Sequence, residues 1–389
     1  MSSIPVLKDF LDEDDIFQFQ ISNVDVCFVN AIRRTILSDI DVCCIEFDSN
    51  EEDNKKINIT VNTGRLHNEI LKHRLSCIPI YIKDDIKSII STERSKKSKS
   101  LVLSPMEKFC EENILEIDCH NDSDTSIFVT TKDFRIKNII SGDYLDSKQY
   151  FPPNRLTNDY IDFSRLRGKM CDTIPGESLK LTALFSISNA NKNSTHNVVS
   201  ICSYSNTLDK NKIKTKWNLL ETDMKAKGLT EESIVFEKTN FYHLDANRCF
   251  IENSFEFKIQ SICLLTNREI LTLAVYKLCN KFYHFLDFLE TDKVTVLLSD
   301  SIISFCYDVQ LYEEDYTFGK ILEYLLYHNY YKSKILSYCG FKKFHPHDTK
   351  SVIRLAFTCQ PEPKYLEQIL NKCCLLAIAN IHGILQQII

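Results

Sequence analysis

Three groups of side chains in this chain are of types that do chemistry. The first is His345, His347 and Asp348, which could ligate a metal. A single His-x-His on a proline-bearing loop supplies too few donors for a closed site, and its surroundings favour a turn-capping role. The second is the set of 16 cysteines. Thiolate zinc sites need four donors, usually in CxxC pairs, and no CxxC occurs; Lys83 to Phe128 offers only Cys110 and Cys119. No zinc, iron–sulfur centre or other cofactor is expected. The third group is Asn30, Arg33 and Arg34. Arginine presents a planar, permanently charged fork to carboxylates and carbonyls, which is the chemistry of recognition. The chain has no nucleophile elbow, no glycine-rich phosphate loop (it has 8 glycines) and no Asp-x-Asp-x-Asp run for catalytic magnesium. No catalytic residue is assigned. The competing class is a cytosolic cysteine-dependent enzyme with an unrecognised site, although no motif in the sequence positions a Cys/His catalytic pair.

The arginines lie in a stretch that occurs twice. Phe17 to Ile36 reads FQFQISNVDVCFVNAIRRTI, and 290 positions later Tyr307 to Leu326 reads YDVQLYEEDYTFGKILEYLL, aligned without a gap. In both, apolar residues first alternate (Phe17, Phe19, Ile21; Phe305, Tyr307, Val309, Leu311), the period of a half-buried strand. Asp25 and Asp315 then stand where a side-chain acceptor satisfies the free N–H groups of a first helical turn. Beyond them the apolar spacing becomes three and four (Val29, Ile32, Ile36; Phe318, Leu322, Leu325), which is helical. Two copies of one unit predict a pseudo-dimer. The stripe Val29, Ile32 and Ile36 is expected to face the opposite copy, leaving Asn30, Arg33 and Arg34 for another protein.

Two longer helices follow from the same spacing. Leu271, Val275, Leu278, Phe282, Phe285 and Leu289 form the seam of a helix that packs lengthwise on another. After Pro361 and Pro363, Leu366, Ile369, Leu370, Cys373, Leu376 and Ala377 line one face of a final helix. Each copy thus ends in a long amphipathic helix, with only Glu290 to Lys293 between the copies. The intervening region holds the turn signals: acidic Asn50 to Asn54, basic and serine-rich Ser95 to Ser100, Pro152-Pro153 and Pro175-Gly176. Short strand-like runs lie among them (Ile57 to Val61, Ile127 to Thr131, Leu179 to Ser186). Strands are also expected at Val198 to Tyr204 and Ser254 to Ile262, and a polar loop at Asn206 to Leu229. The expected class is α+β. A dimerisation domain occupies 1–45 and 197–290, an inserted β-rich domain 46–196, and a second dimerisation domain 291–389.

At 389 residues, 44% hydrophobic and 26% charged, the chain can bury a sizeable core in two or three domains. A net charge of −6 creates no global field for nucleic acid, so DNA contact is expected only indirectly. Met1 to Glu13 is acid-rich and carries no apolar signal segment, and no uninterrupted apolar run reaches the ~18 residues of a membrane span. Free thiols in a reducing, intracellular compartment are expected.

Phe28-Val29-Asn30-Ala31-Ile32-Arg33-Arg34-Thr35-Ile36-Leu37-Ser38, followed by Leu66 to Ile80 with Glu69, His73, Arg74, Leu75, Ile78 and Pro79, resembles the third-largest subunit of RNA polymerase II. Archaeal D and bacterial alpha subunits share the pattern. Glu314-Asp315-Tyr316-Thr317-Phe318-Gly319-Lys320, and then Gly340 to His347, resemble its small partner, the eleventh subunit or archaeal L. The chain departs from the eukaryotic third subunit in lacking its zinc-binding cysteine cluster. It also lacks the tryptophan that follows a histidine near Thr195-His196.

The resemblance implies two alpha-subunit-like dimerisation units fused in one chain, as in large DNA viruses. It implies a non-catalytic platform of a DNA-directed RNA polymerase, with the active-site magnesium in the two large subunits. Asn30, Arg33, Arg34, Glu69, His73, Arg74 and Pro79 are expected to meet those large subunits. The internal dimer is expected to rest on Val29, Ile32, Ile36, Leu271, Val275, Leu278, Phe282, Phe285, Phe318, Leu322, Leu325, Leu366, Ile369, Leu370 and Cys373. The other implied partners are small polymerase subunits, with no membrane and no separate eleventh subunit. The implied location is a cytoplasmic viral factory and virion, with the nucleus as the alternative.

Overall fold

The computed structural model describes residues 4–47, 56–82 and 104–388, apart from 155, 172, 264, 292 and 363. The acidic run at 50–54, the basic stretch at 91–100 and Pro363 lie outside the described residues. In chain order the elements begin with β1 (Val6–Glu13), β2 (Ile16–Ser22) and α1 (Val26–Ser38). There follow β3 (Val42–Cys44), β4 (Ile57–Asn62), α2 (Asn68–Ser76), α3 (Pro105–Glu112), β5 (Asn113–His120), β6 (Ile127–Thr130), β7 (Arg135–Asn138) and β8 (Tyr144–Leu145). Next come β9 (Asp162–Leu166), β10 (Ser178–Leu184), β11 (Ser186–Ser188), β12 (Val199–Leu208), α4 (Lys210–Ala226), α5 (Glu231–His243), β13 (Phe250–Ser261) and α6 (Asn267–Glu290). The chain ends with β14 (Val296–Leu298), β15 (Cys306–Tyr312), α7 (Tyr316–Leu326), β16 (Leu336–Lys342), β17 (Lys350–Phe357) and α8 (Tyr365–Ile388). These elements form two compact units: Met1–Ile36, Ile201–Gln260 and Ala274–Ile389 in one, Leu37–Ser200 and Ser261–Leu273 in the other.

The first unit contains the sequence repeat as a repeat of structure. One antiparallel sheet has the order β1-β2-β13-β12 and another the order β14-β15-β17-β16, so each copy is a β-β-α-β-β-α unit with the same strand order. The backbone repeats even where it is strained. Asp15 and Phe305 both have positive φ (61° and 54°), as do Asn23 and Glu313 (61° and 58°), at the same 290-residue offset. Such values are uncommon outside glycine, so their recurrence reflects a shared backbone path. Between β1 and β2 the link is Asp14-Asp15, both with positive φ, the mirror-image turn that suits the right-handed twist of a hairpin.

Helix starts follow local chemistry. The Cys27 N–H donates to Asp25 Oδ1 at 2.9 Å and the Thr317 N–H to Asp315 Oδ1 at 2.8 Å. Each carboxylate thereby satisfies an orphan donor of the first turn. The copies are joined through their helices. Phe318 of α7 packs on Phe282 and Phe285 of α6, with ring centroids 4.5 and 5.1 Å apart. Phe28 of α1 meets the edge of Tyr324 at 6.3 Å. The Tyr283 hydroxyl of α6 and His382 Nε2 of α8 are 3.2 Å apart. The far end of α8 reaches the other copy's first strand, where Gln387 accepts from the Leu7 N–H at 2.9 Å and donates to the Pro5 carbonyl at 2.6 Å. By length and composition α8 is apolar enough to cross a bilayer. Within this unit, Leu366, Ile369, Leu370, Cys373, Ala377 and Ile381 are buried.

One expectation is corrected here. Asn206–Leu229, read as a polar loop, finishes β12 and then forms α4, followed by α5. Asp209 caps α4 by accepting from the Asn211 and Lys212 N–H groups. Lysine is a good helix former, and the turn-spaced pair Ile213 and Trp217 buries against Phe241, Ala246 and Cys249. Ile213, Trp217, Leu220 and Met224 keep helical spacing of four, three and four, but the lysines and other polar residues around them give the segment the texture of a loop.

In the second unit the order β4-β10-β5-β7-β8 forms a five-stranded antiparallel sheet, beside the pairs β6-β9 and β11-β3. Leu115, Ile117, Leu179 and Leu181 from its strands bury with Phe134 and Phe163 and with Leu71 and Leu75 of α2. Phe134 is edge-on to Phe151 and Phe163.

Two outcomes are expected from the packing of the first unit. Nicking the chain between Glu290 and Lys293 should leave two fragments that co-elute on native size exclusion, because α6 and α8 bury their faces across the copies. Fragments that separate would show that the copies fold independently. A Cβ on Gly319 would lie 2.2 Å from the Phe341 ring, which is itself 8% exposed. The propensity gain of Gly319→Ala, about 1 kcal/mol, should be outweighed by overpacking of roughly 1–3 kcal/mol. Thermal unfolding should therefore show a lower Tm, recovered in part by adding Phe341→Leu; a raised Tm would contradict this contact.

Candidate functional site

Helix α1 divides into two faces. Phe28, Val29, Ala31, Ile32, Thr35 and Ile36 are buried, while Asn30, Arg33 and Arg34 are half-buried. Arg33 Nε donates to Asn30 Oδ1 at 3.1 Å, one turn earlier, which holds its fork along the helix. Among the described residues Arg33 has no ion-pair partner.

Arg34 behaves differently from the outward-pointing fork expected of it. Its Nε donates to Thr317 Oγ1 at 2.9 Å and its Nη2 to Asp315 Oδ2. The same Asp315 caps α7, so one carboxylate begins the second copy's helix and receives the first copy's arginine. Burial raises the Asp315 pKa, but the Thr317 hydroxyl and N–H and the Arg34 guanidinium outweigh it and hold the carboxyl below its usual range. The pseudo-symmetric position to Arg34 is Tyr324. Burial, with the Asp25 carboxylate adding to it, pushes the Tyr324 hydroxyl up to about 12. The cap of each helix thus faces the equivalent residue of the other copy, one pair charged and the other aromatic. The alignment of Asp25 with Asp315 was the signal for this; the residue opposite each cap had no sequence signal, because it comes from the other copy.

The second group of expected residues sits on α2 and the turn after it, in the other compact unit. Leu71, Leu75, Ile78 and Ile80 bury, which leaves Glu69, His73, Arg74 and Pro79 exposed. Arg74 Nε and Nη2 donate to the carbonyls of Phe163 and Asp162, both at 2.9 Å, pinning α2 to β9. Ile70, 50% exposed, and Cys77 share the exposed row. Their spacing of three and four from His73 and Arg74 would have found them. All of Val29, Ile32, Ile36, Leu271, Val275, Leu278, Phe282, Phe285, Phe318, Leu322, Leu325, Leu366, Ile369, Leu370 and Cys373 are buried.

The histidine loop and three of the buried or half-buried thiols are taken up by the fold. The His345 N–H donates to Asp348 Oδ2 at 3.0 Å and the His347 N–H to His345 Nδ1 at 3.2 Å, so these side chains brace a turn. Among the described residues no group of three or more His, Cys, Asp or Glu is arranged to hold a metal. Burial pushes the Cys44, Cys202 and Cys373 thiols up to about 12, which keeps them from the nucleophilic thiolate form.

The Arg34–Asp315 pair makes a pH-dependent contribution. The folded Asp315 pKa lies below its unfolded value, so its stabilisation is present above the unfolded carboxylate range and lost as pH falls through the folded value. Asparagine caps a helix as well as aspartate does, so Asp315→Asn isolates the charge. With side chains 36% and 35% exposed, the pair is worth about 0.5–1 kcal/mol after solvent screening. Denaturant unfolding should show that loss at neutral pH and a gap that narrows as pH falls toward the carboxylate range; a pH-independent gap would mean the charge is not what Asp315 contributes.

Comparison with known proteins bears on this geometry. The family model of the RNA polymerase Rpb3/Rpb11 dimerisation domain matches residues 18–282, which is more than half of the chain. DNA-directed RNA polymerase subunit Rpo3 of Thermococcus kodakarensis is 36% identical over 66 residues, covering 17% of this chain and 22% of that protein. The family match includes α1, the exposed row on α2 and the greater part of α6, and it ends before the second copy. With its paired β-β-α-β-β-α copies and α+β architecture, this chain belongs to the RNA polymerase Rpb3/Rpb11 dimerisation domain family.

Proposed function

We propose that this chain is the non-catalytic assembly platform of a multisubunit DNA-directed RNA polymerase, an internal heterodimer that recruits and orients the two large catalytic subunits. The observation that carries this reading is the division of labour on α1. Its apolar face is spent on the internal core and Arg34 on the cap of the other copy. Asn30 and Arg33 remain as a preorganised polar pair on a rigid helix, the kind of placement that suits a docking contact. The exposed row Glu69, His73, Arg74 and Pro79 supplies a second contact to the large subunits.

In this reading the second copy takes the place of a separate eleventh subunit, as in fused subunits of large DNA viruses. Small polymerase subunits complete the assembly, DNA is reached only through the complex, and transcription proceeds in a cytoplasmic factory.

Replacing Asn30 and Arg33 together by alanine tests the reading. Both changes favour helix slightly, so the variant should melt like the wild type. Removing one side of a desolvated charged contact costs ~2–5 kcal/mol. Pull-down of the second-largest polymerase subunit should therefore be lost, while Val29→Asp should damage the fold itself. Recovery of that subunit at wild-type levels by the double variant would show that this face is merely solvated.

A further inference from the structure

In the second unit, β6, β9 and the turn after β4 enclose a cleft of about 480 Å³ whose walls include Arg65, Arg74, Arg165 and Arg167, with Leu66, Phe128 and the buried Phe163 as its apolar residues. Four guanidinium groups face two carboxylates, Asp162 and Glu177. One of those is already neutralised: Glu177, 5% exposed, pairs with Arg167 Nη2 at 3.2 Å and accepts from the Arg167 N–H at 2.7 Å. The cleft keeps an excess of positive charge in a chain whose net charge is −6.

The walls are rigid. Asn62 Nδ2 donates to the Leu66 carbonyl at 2.8 Å and to Asn68 Oδ1 at 2.7 Å, which fixes the turn presenting Arg65. A Cβ on Gly176 would lie 1.6 Å from the Asn121 carbonyl oxygen, so the loop carrying Glu177 is seated directly on neighbouring backbone. Arg165 lies over the Phe128 ring, its guanidinium carbon 5.4 Å from the centroid, and Phe128 is 56% exposed. Arg65 is exposed and makes no hydrogen bond or ion pair among the described residues. Two arginines are thus committed to the fold, Arg74 and Arg167, and two are presented to the cleft, Arg65 and Arg165.

We propose that this cleft is a docking groove for an acidic segment of a partner protein, in which carboxylates flank one apolar side chain. Guanidinium forks match carboxylates in bidentate geometry, and Leu66 and Phe128 give the apolar residue a seat. A nucleic acid fits less well. Its binding sites track the backbone with successive aromatic platforms, whereas this cleft has one exposed ring, Phe128, among its lining residues. The proposal rests on the assembly reading above, because Arg74 of α2 belongs both to the row assigned to the large subunits and to the wall of this cleft.

The test uses the full chain and a fluorescein-labelled peptide, Glu-Asp-Leu-Glu-Asp-Phe-Asp-Glu, followed by fluorescence anisotropy. Saturable binding is expected, with loss of at least about tenfold in affinity for Arg65→Glu/Arg165→Glu at an unchanged melting temperature. The same peptide with Gln and Asn in place of its acids should not bind. Equal affinity of wild type and double variant, absence of saturable binding, or tighter competing binding by a single-stranded RNA of similar length would each overturn the groove. Peptide binding by a chain that captures no large polymerase subunit would overturn the assembly reading while leaving the groove an acidic partner elsewhere. Capture of that subunit by a chain with no peptide affinity would overturn the groove alone.

Discussion

A helix laid across one face of a four-stranded sheet still has an apolar flank that the sheet does not cover, and in this protein each copy covers the flank of the other. Phe282 and Phe285 from the first copy enclose Phe318 of the second, and α8 runs back to β1. Burying a phenylalanine contributes about 1.5–3 kcal/mol, and aromatic contacts add about 0.5–1.5 kcal/mol. Three such rings outweigh the Arg34–Asp315 pair several-fold. The apolar contact holds the copies together, and the polar ties settle their register.

The polar ties also make the two copies unequal. Equivalent helices are capped by Asp25 and Asp315, but the residue facing each cap from the other side is Tyr324 in one case and Arg34 in the other. A true homodimer would repeat one pairing. Here a half-buried aromatic hydroxyl and an ion pair occupy pseudo-equivalent places, whereas two copies of the first helix would set Arg34 against Asp25 twice and two copies of the second would set Tyr324 against Asp315 twice. The first copy also admits the second compact unit between α1 and β12, and its pair Asn30 and Arg33 is matched on α7 by a self-neutralising ion pair, Lys320 and Glu323.

Membership of the Rpb3/Rpb11 dimerisation family fits a structure whose chemistry is recognition. Its thiols Cys44, Cys202 and Cys373 are held protonated by burial, its histidine loop braces a turn, and its arginines divide between fixing the fold and facing outward. Arg74 does both: it ties α2 to β9 and lies in the wall of the cleft. The constraint that stiffens the domain also sets the direction of its charge.

Much of this was legible in the sequence, for a physical reason. Strand alternation, the three-and-four spacing of helices and the aspartate caps are local rules, and a repeat at constant offset doubles each signal, so both copies, their caps and the apolar seams could be read directly. Local rules were obscured where polar residues crowd the stripe: Ile213, Trp217, Leu220 and Met224 keep helical spacing, but the lysines around them concealed the hairpin α4–α5. They failed entirely where a side chain's partner comes from far along the chain. Whether Arg34 points to solvent or to Asp315 depends on how two copies of one unit meet, 281 positions apart in sequence. The gathering of Arg65, Arg74, Arg165 and Arg167 around one cleft depends likewise on strand pairing across distant segments. Composition and periodicity determined the elements and the dimeric plan, and only tertiary packing decided which charges are consumed by the fold and which remain exposed on its surface.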